Sequence, residues 1–234
     1  MRAFRSIAEN HKGVAEMADK NLSDRAYSEL LRRIITCEYA PGVLLSEERL
    51  VMDLGCSRTP IRSALVRLQE EHLVQILSKR GIRVVPITLS DIRDVYNLRE
   101  LFETYALEKY GMNFKKERLV EVLRLFESSG PEDDFYYNDM CFHNEIISQT
   151  QNAFLGQYFV SLQNTMQRLS RLSGAENRNR VEESNQEHTR IILALLRDDF
   201  SGAADALRLH LNNGRISAYQ VVLDEQSEDS RKRE

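Results

Sequence analysis

Four residues in the second half of the chain carry side chains that bind metal ions: Asp139, His143, His188 and His210. Asp139 and His143 stand four apart, so on a helix they share one face about 6 Å apart and can converge on one centre. His188 falls in the next-to-last helix that the sequence pattern suggests, and His210 in the last. The chain has only five histidines, and three of them lie on these helices. Neutral imidazole with carboxylate suits zinc, nickel or a similar divalent ion, and helical bundles build such sites from facing helices. The same spacing also serves an oriented histidine or a surface pair. Spacing alone leaves that choice open.

A second constellation is basic. From Leu54 to Gln69 there are three arginines, Arg58, Arg62 and Arg67, and no acidic residue. Arg58 and Arg62 are one helical turn apart, opposite Ile61, Leu65 and Leu68. Guanidinium grips phosphate or guanine through paired hydrogen bonds, so an acid-free stripe suits a nucleic-acid-contacting surface. Arg49 on the preceding helix is within reach of the same groove. Lys79 and Arg80 sit at the tip of a later turn, placed for the backbone or the minor groove. Singly, each arginine is as well explained as solvated surface; together with the elements that carry them, they point to DNA.

Those elements can be read in order. Ala26, Leu30, Leu31, Ile34 and Ile35 recur at helical spacing, with Ser23 or Asp24 as the expected cap. The helix stops before Ala40-Pro41-Gly42. Ser46 caps a second, short helix that turns Leu50, Val51 and Leu54 inward and ends at Gly55. Thr59-Pro60 starts a third, since proline fits a first helical turn. After His72 the period changes, and residues 73–77 and 82–85 read as strands around Ser78-Lys79-Arg80-Gly81. Three helices and a basic-tipped hairpin make a winged helix-turn-helix over residues 22–86.

From Ser90 the pattern is helical, at about 90–111, 115–129, 132–150, 153–172, 180–198 and 200–222. Breaks are expected at Gly111, Gly130-Pro131, Asn152, Ser173-Gly174 and Asp198-Asp199. The expectation is a mainly α chain: the winged helix-turn-helix, then an all-α bundle of about six helices at 87–224 for effector binding and dimerisation. Residues 1–21 read as a flexible arm and 225–234 as a disordered, charged tail.

With 42% hydrophobic and 29% charged residues, the composition is that of a soluble globular chain. No stretch approaches the ~18 apolar residues of a membrane helix. Arg2, Arg5, Glu9, Lys12 and Glu16 interrupt the first twenty residues, so no secretory signal is expected and the cytoplasm is the expected location. Cys37, Cys56 and Cys141, odd in number and far apart, suit reduced, buried thiols rather than disulfides. The net charge of −4 divides unevenly. Residues 21–86 hold ten Lys/Arg against eight Asp/Glu, whereas 87–234 hold eighteen against twenty-five, a mildly basic module on an acidic body.

The run Leu44-Leu45-Ser46-Glu47-Glu48-Arg49-Leu50 is followed by Ser57-Arg58-Thr59-Pro60-Ile61-Arg62-Ser63-Ala64-Leu65-Val66-Arg67-Leu68, then by Gly81 and Val84. Across residues 22–86 this resembles the DNA-binding domain of the GntR family. The resemblance implies that Arg49, Arg58 and Arg62 make the main operator contacts, with Gly81 near the minor groove. Ser57, Thr59, Arg67, Lys79 and Arg80 complete the expected DNA-binding set. Residues 90–222 resemble the FCD-type effector domain in its metal-binding version, through Asp139 and His143, Glu187-His188, and the stretch from Ala206 to Leu211. That resemblance implies that Asp139, His143, His188 and His210 hold one divalent transition metal per chain, zinc or nickel, with open positions for water or a small carboxylate effector. Arg99 matches a position that grips the effector carboxylate, although an intrahelical pair with Glu103 also accounts for it.

Together these readings give a ligand-responsive bacterial transcription regulator, expected to repress, that binds a near-palindromic double-stranded operator as a homodimer. Neither catalysis nor a membrane is expected. A metal-dependent hydrolase with an appended winged helix is the alternative, but no extra general base accompanies the ligands and the arginines would go unexplained. A third reading makes the ion purely structural.

Overall fold

The computed structural model describes residues 11–127, 132–175 and 178–231, and the chain divides into two compact units, Met1–Pro86 and Ile87–Glu234. The first holds α1 (His11–Ile35), β1 (Leu44–Leu45), α2 (Glu47–Leu54), α3 (Arg58–Glu70), β2 (Val74–Leu77) and β3 (Gly81–Val84). Periodicity predicts that α1 begins at Ser23 or Asp24; it runs instead from His11. Ala15, Glu16, Met17, Ala18 and Lys20 are good helix formers, and apolar periodicity detects only a buried face. The arm expected over 1–21 is therefore helical from His11, and residues 1–10 lie outside the described residues.

Ser46 caps α2 as expected, its hydroxyl accepting from the Arg49 N–H at 3.1 Å, and Gly55 ends it with φ 63°. Eight residues do not hold a helix alone. Fully buried Leu50 anchors α2 to Ile61, Leu68, Leu30 and Val84. The sheet is antiparallel in the order β1-β3-β2, so the hairpin acquires a third strand that two residues of sequence are too few to reveal. Gly81 is required where it stands. Its φ is +99°, and a Cβ there would lie 2.4 Å from the Leu45 carbonyl oxygen on β1.

The second unit holds α4 (Leu89–Tyr110), a 3₁₀ turn (Gly111–Asn113), α5 (Lys116–Glu127), α6 (Glu132–Ser148), α7 (Ala153–Ala175), α8 (Arg178–Leu196) and α9 (Phe200–Arg231). This is the six-helix, all-α architecture expected. Thr88 and Asp91 form a reciprocal capping box that opens α4. The Asn152 side-chain oxygen accepts from the N–H groups of Phe154 and Leu155 to open α7. Asp198, with φ 60°, turns the chain between α8 and α9. Two expected boundaries move. α7 passes through Ser173-Gly174, and α9 continues to Arg231 rather than yielding to a disordered tail at 225, since a polar composition removes a buried face but not helix propensity. The Gly130-Pro131 break and residues 232–234 lie outside the described residues.

Phe142, Phe159, Leu107, Ile146 and Leu169 fill the core of this unit. The inward faces of α4, α6 and α8 also carry Glu103, His143 and His188, each fully buried. Helix packing thus brings polar groups from elements far apart in sequence to one depth.

Gly81→Ala should destabilise the first unit by at least about 1–2 kcal/mol, the cost of a left-handed conformation for a residue with a Cβ. Faster hydrogen exchange at the β3 amides checks this; unchanged exchange contradicts the close approach to Leu45.

Candidate functional site

In the second unit, α6 supplies Asp139 and His143, α8 His188 and α9 His210. One donor atom from each lies within 4.8 Å of all the others. His188 Nε2 is 3.3 Å from Asp139 Oδ1 and 3.4 Å from His143 Nε2, and His143 Nε2 is 3.6 Å from Asp139 Oδ1. Ligands about 2.0–2.2 Å from one ion stand roughly 3–3.5 Å apart, so the donor set fits a divalent metal.

Two further carboxylates orient the imidazoles. Glu103 on α4 bonds His143 Nδ1, and Glu187 on α8 bonds His210 Nδ1 at 2.8 Å. Each leaves Nε2 as the remaining donor, the arrangement by which buried carboxylates fix the tautomer of a ligating histidine. Both are paired in turn. Arg99 Nε donates to Glu103 at 2.8 Å; Arg180 donates to Glu187 through two nitrogens at 2.7 and 3.1 Å, and Asn213 adds a third bond at 2.7 Å. Two Arg–Glu–His chains therefore converge on the cluster. The third imidazole, His188, is held by packing: it stacks on Phe126 at 4.4 Å, and its Nδ1 is buried without a partner.

Protonation follows from this wiring. Burial, then the nearby His188, holds His210 down to about 3, and burial likewise lowers His188, so both are neutral as ligation requires. Burial opposes a charge on His143 too, but Glu103 outweighs it and raises that pKa. Burial would raise Asp139, Glu103 and Glu187. Contacts with His143 and His188 hold Asp139 well below the carboxylate range, while Arg99 with His143, and His210 with Arg180, hold Glu103 and Glu187 at about 2. Three carboxylates are ionised inside a helical core.

A cavity of about 30 Å³ adjoins the cluster, lined among others by Tyr96, Arg99, Asp139, Arg180 and His210. Arg99 makes the intrahelical pair that its spacing suggests, with Glu103, and its Nη2 remains buried with no partner. Sequence reasoning missed Arg180 and the orienting roles of Glu103 and Glu187. Glu187 adjoins His188 in sequence, but nothing there shows that it serves His210.

In the first unit, Ser57, Arg58, Thr59 and Arg62 are exposed on the N-terminal half of α3, opposite buried Ile61, Leu65 and Leu68. Lys79, with φ 60°, and Arg80 are exposed at the hairpin tip. The arginines are not free. Glu47 takes Arg62 through two bonds of 2.8 Å, Glu48 takes Arg58 at 3.2 Å, and Asp53 takes Arg49 at 3.4 Å. Arg67 lies against α1, 2.7 Å from Asp24 and 3.7 Å above the Tyr27 ring centroid. The stripe from Leu54 to Gln69 is acid-free only in sequence, because α2 and α1 supply the counter-charges.

Family models match both parts: the bacterial regulatory proteins of the GntR family over residues 22–84, and the FCD domain over 94–213, half of the chain. The chain is a GntR-family transcription regulator with an FCD domain. The gluconate operon transcriptional repressor of Bacillus licheniformis is 28% identical over 174 residues, covering 72% of this regulator and 70% of that protein. The repressor RspR of Escherichia coli K12 is 26% identical over 207 residues, 86% of this chain and 90% of that one. These relatives and families are transcription regulators, not enzymes. Among solved structures, a GntR regulator from Rhodococcus sp. RHA1 superposes with TM-score 0.71 at 22% identity, over 85% of this chain and 97% of that one. The Zn²⁺-bound FCD domain of the regulator TM0439 superposes with TM-score 0.52 at 20% identity, over 58% and 96%. Among the described residues no helix is long and apolar enough to cross a membrane.

Replacing Glu103 with alanine strands the buried Arg99 guanidinium and frees His143 Nδ1. The expected cost is about 3–5 kcal/mol, read as a lower urea midpoint in metal-free protein. A loss below about 1 kcal/mol contradicts the Arg99–Glu103–His143 chain.

Proposed function

We propose that this regulator is a repressor controlled by a small carboxylic acid, bound beside one divalent ion held by Asp139, His143, His188 and His210. The observation that carries the reading is the convergence of those four donors, two of them backed by Arg–Glu pairs, beside a cavity whose lining, among the described residues, has no carboxylate but Asp139. The bound ion would supply a Lewis-acidic attachment point for the acid. The protein's own groups do the rest: Arg99 offers its unpartnered Nη2, and Tyr96, kept protonated by burial, offers a neutral hydroxyl. The Zn²⁺-bound FCD domain of TM0439 makes zinc the first ion to test. Glu103 and Glu187 are already committed to histidine and arginine, so neither is free as a general base, which weighs against hydrolysis.

Operator DNA is read by α3. Arg58, Arg62 and Arg49 exchange their carboxylate partners for phosphate and base edges, with Ser57 and Thr59 at the helix start. Lys79, Arg80 and Gly81 follow the adjacent backbone or minor groove. Arg67 contributes through its hold on α1. A homodimer would present two such helices to a near-palindromic, cytoplasmic operator. Its support is an apolar face in the second unit: Leu101 and Tyr105 of α4 and Phe154 and Tyr158 of α7 are exposed, and an edge-to-face contact of Phe102 with Tyr158 joins the two helices. Acid binding would bias α4, the helix that follows the wing in sequence. A coupling of about 1–3 kcal/mol suffices for regulation.

Two measurements test this. Elemental analysis of tag-free protein, purified without chelator, should find one divalent ion per chain, falling well below that in His188→Ala; no ion after reconstitution removes the metal from the account. On duplexes selected from a random library, Arg62→Ala should weaken specific binding by about 1–3 kcal/mol and leave the fold intact. Unchanged affinity would displace α3 from the groove.

A further inference from the structure

The charged groups that line the cavity or bond to the donor cluster can be counted among the described residues. Arg99 and Arg180 are positive; Asp139, Glu103 and Glu187 are negative. With neutral ligating imidazoles the set carries −1, and a divalent ion in the donor cluster brings it to +1. Water screens none of these groups well, since four of the five side chains are less than a tenth exposed. An uncompensated charge at that depth is costly, and a bound counter-ion removes the cost.

A second, independent observation points the same way. Arg99 Nη2 is buried and has no acceptor, although its Nε is satisfied. The acceptor it lacks has to come from the cavity it lines. That cavity, about 30 Å³, holds roughly two waters, the space of one carboxylate group. Arg180 lines the same cavity and also an outer groove between α8 and α9, beside Glu183 and Asn213. Its side chain therefore borders both the cavity and the groove.

Resting on the effector reading above, we infer that the cavity selects a monoanion. It takes an acid with a single carboxylate and otherwise uncharged groups, admitted only after the divalent ion is in place, with Arg180 as a second guanidinium contact beside Arg99. One negative charge neutralises the loaded centre. A dianion leaves −1 in the core, and a neutral ligand leaves +1. Without the ion the set has no excess positive charge, and the acid lacks its second attachment point.

Calorimetric titration of full-length protein, zinc-loaded and metal-stripped, tests this with lactate and malate, the second being lactate with a carboxylate added to its methyl group. Zinc content is checked after each run. Lactate should bind the zinc-loaded form at least tenfold more tightly than malate does, and neither should bind the stripped form. Malate binding as tightly, or lactate binding both forms alike, overturns the inference and leaves the pocket reading standing. Zinc uptake with heat from neither acid overturns the pocket reading, and the inference with it. Glu187→Gln adds one positive charge while its amide oxygen can still accept from His210, so it should shift the preference toward malate. If malate were excluded by size alone, the ratio would not move. An unmoved ratio in a variant that still takes up one zinc overturns the charge argument.

Discussion

Ionised groups inside a helical core are the constraint on which the second unit depends. Glu103 is fully buried, and Arg99, Arg180 and Glu187 nearly so; any one of them alone would cost several kcal/mol. The solution is pairing in depth, each arginine on a glutamate and each of those glutamates on a histidine. The residues of one chain come from α4 and α6, and those of the other from α8 and α9. The helices are thereby fixed against one another as much by these bonds as by Phe142 or Ile146. In a polar centre wired in this way, a change at one arginine reaches its glutamate and, through it, a histidine of the donor cluster.

The first unit handles charge in the opposite manner. The arginines of its exposed stripe stay at the surface, where water screens pairs such as Arg62–Glu47 and leaves them weak. Weak pairs suit the proposed exchange of these carboxylates for DNA. Glu47 and Glu48 hold the guanidiniums over the exposed face of α3 at little cost to their later release. Geometry here is set by the apolar core under α2 and α3 and by the close passage of Gly81 over Leu45, not by the charges.

Much of this was legible in the sequence, for identifiable reasons. The helical periods at Leu30 and Ile34, the Ser46 cap, Gly55 and the change of period after His72 are local signals, and the winged unit follows from them. Asp139 and His143 announce themselves through i, i+4 spacing. Two things were not legible. The helix ends at His11 and beyond 225 carry no apolar period in their sequence to read. The orienting shell is harder to read: Arg180 meets Glu187 two turns along one helix, beyond the single-turn pairing that i, i+4 spacing suggests, and Glu103 meets His143 forty residues away, where spacing carries no signal. Arg99 shows the limit well, since its pairing with Glu103 could be read from the sequence but its unsatisfied nitrogen could not.

X-ray absorption at the zinc edge of the loaded full-length protein tests the central claim most directly, that these four side chains form one metal centre. The account predicts a first shell of nitrogen and oxygen only at about 2.0–2.2 Å, with the outer scattering of three imidazoles. That scattering should drop by one imidazole in His188→Ala. Sulfur in the shell, or fewer than three imidazoles in the unaltered protein, would contradict it.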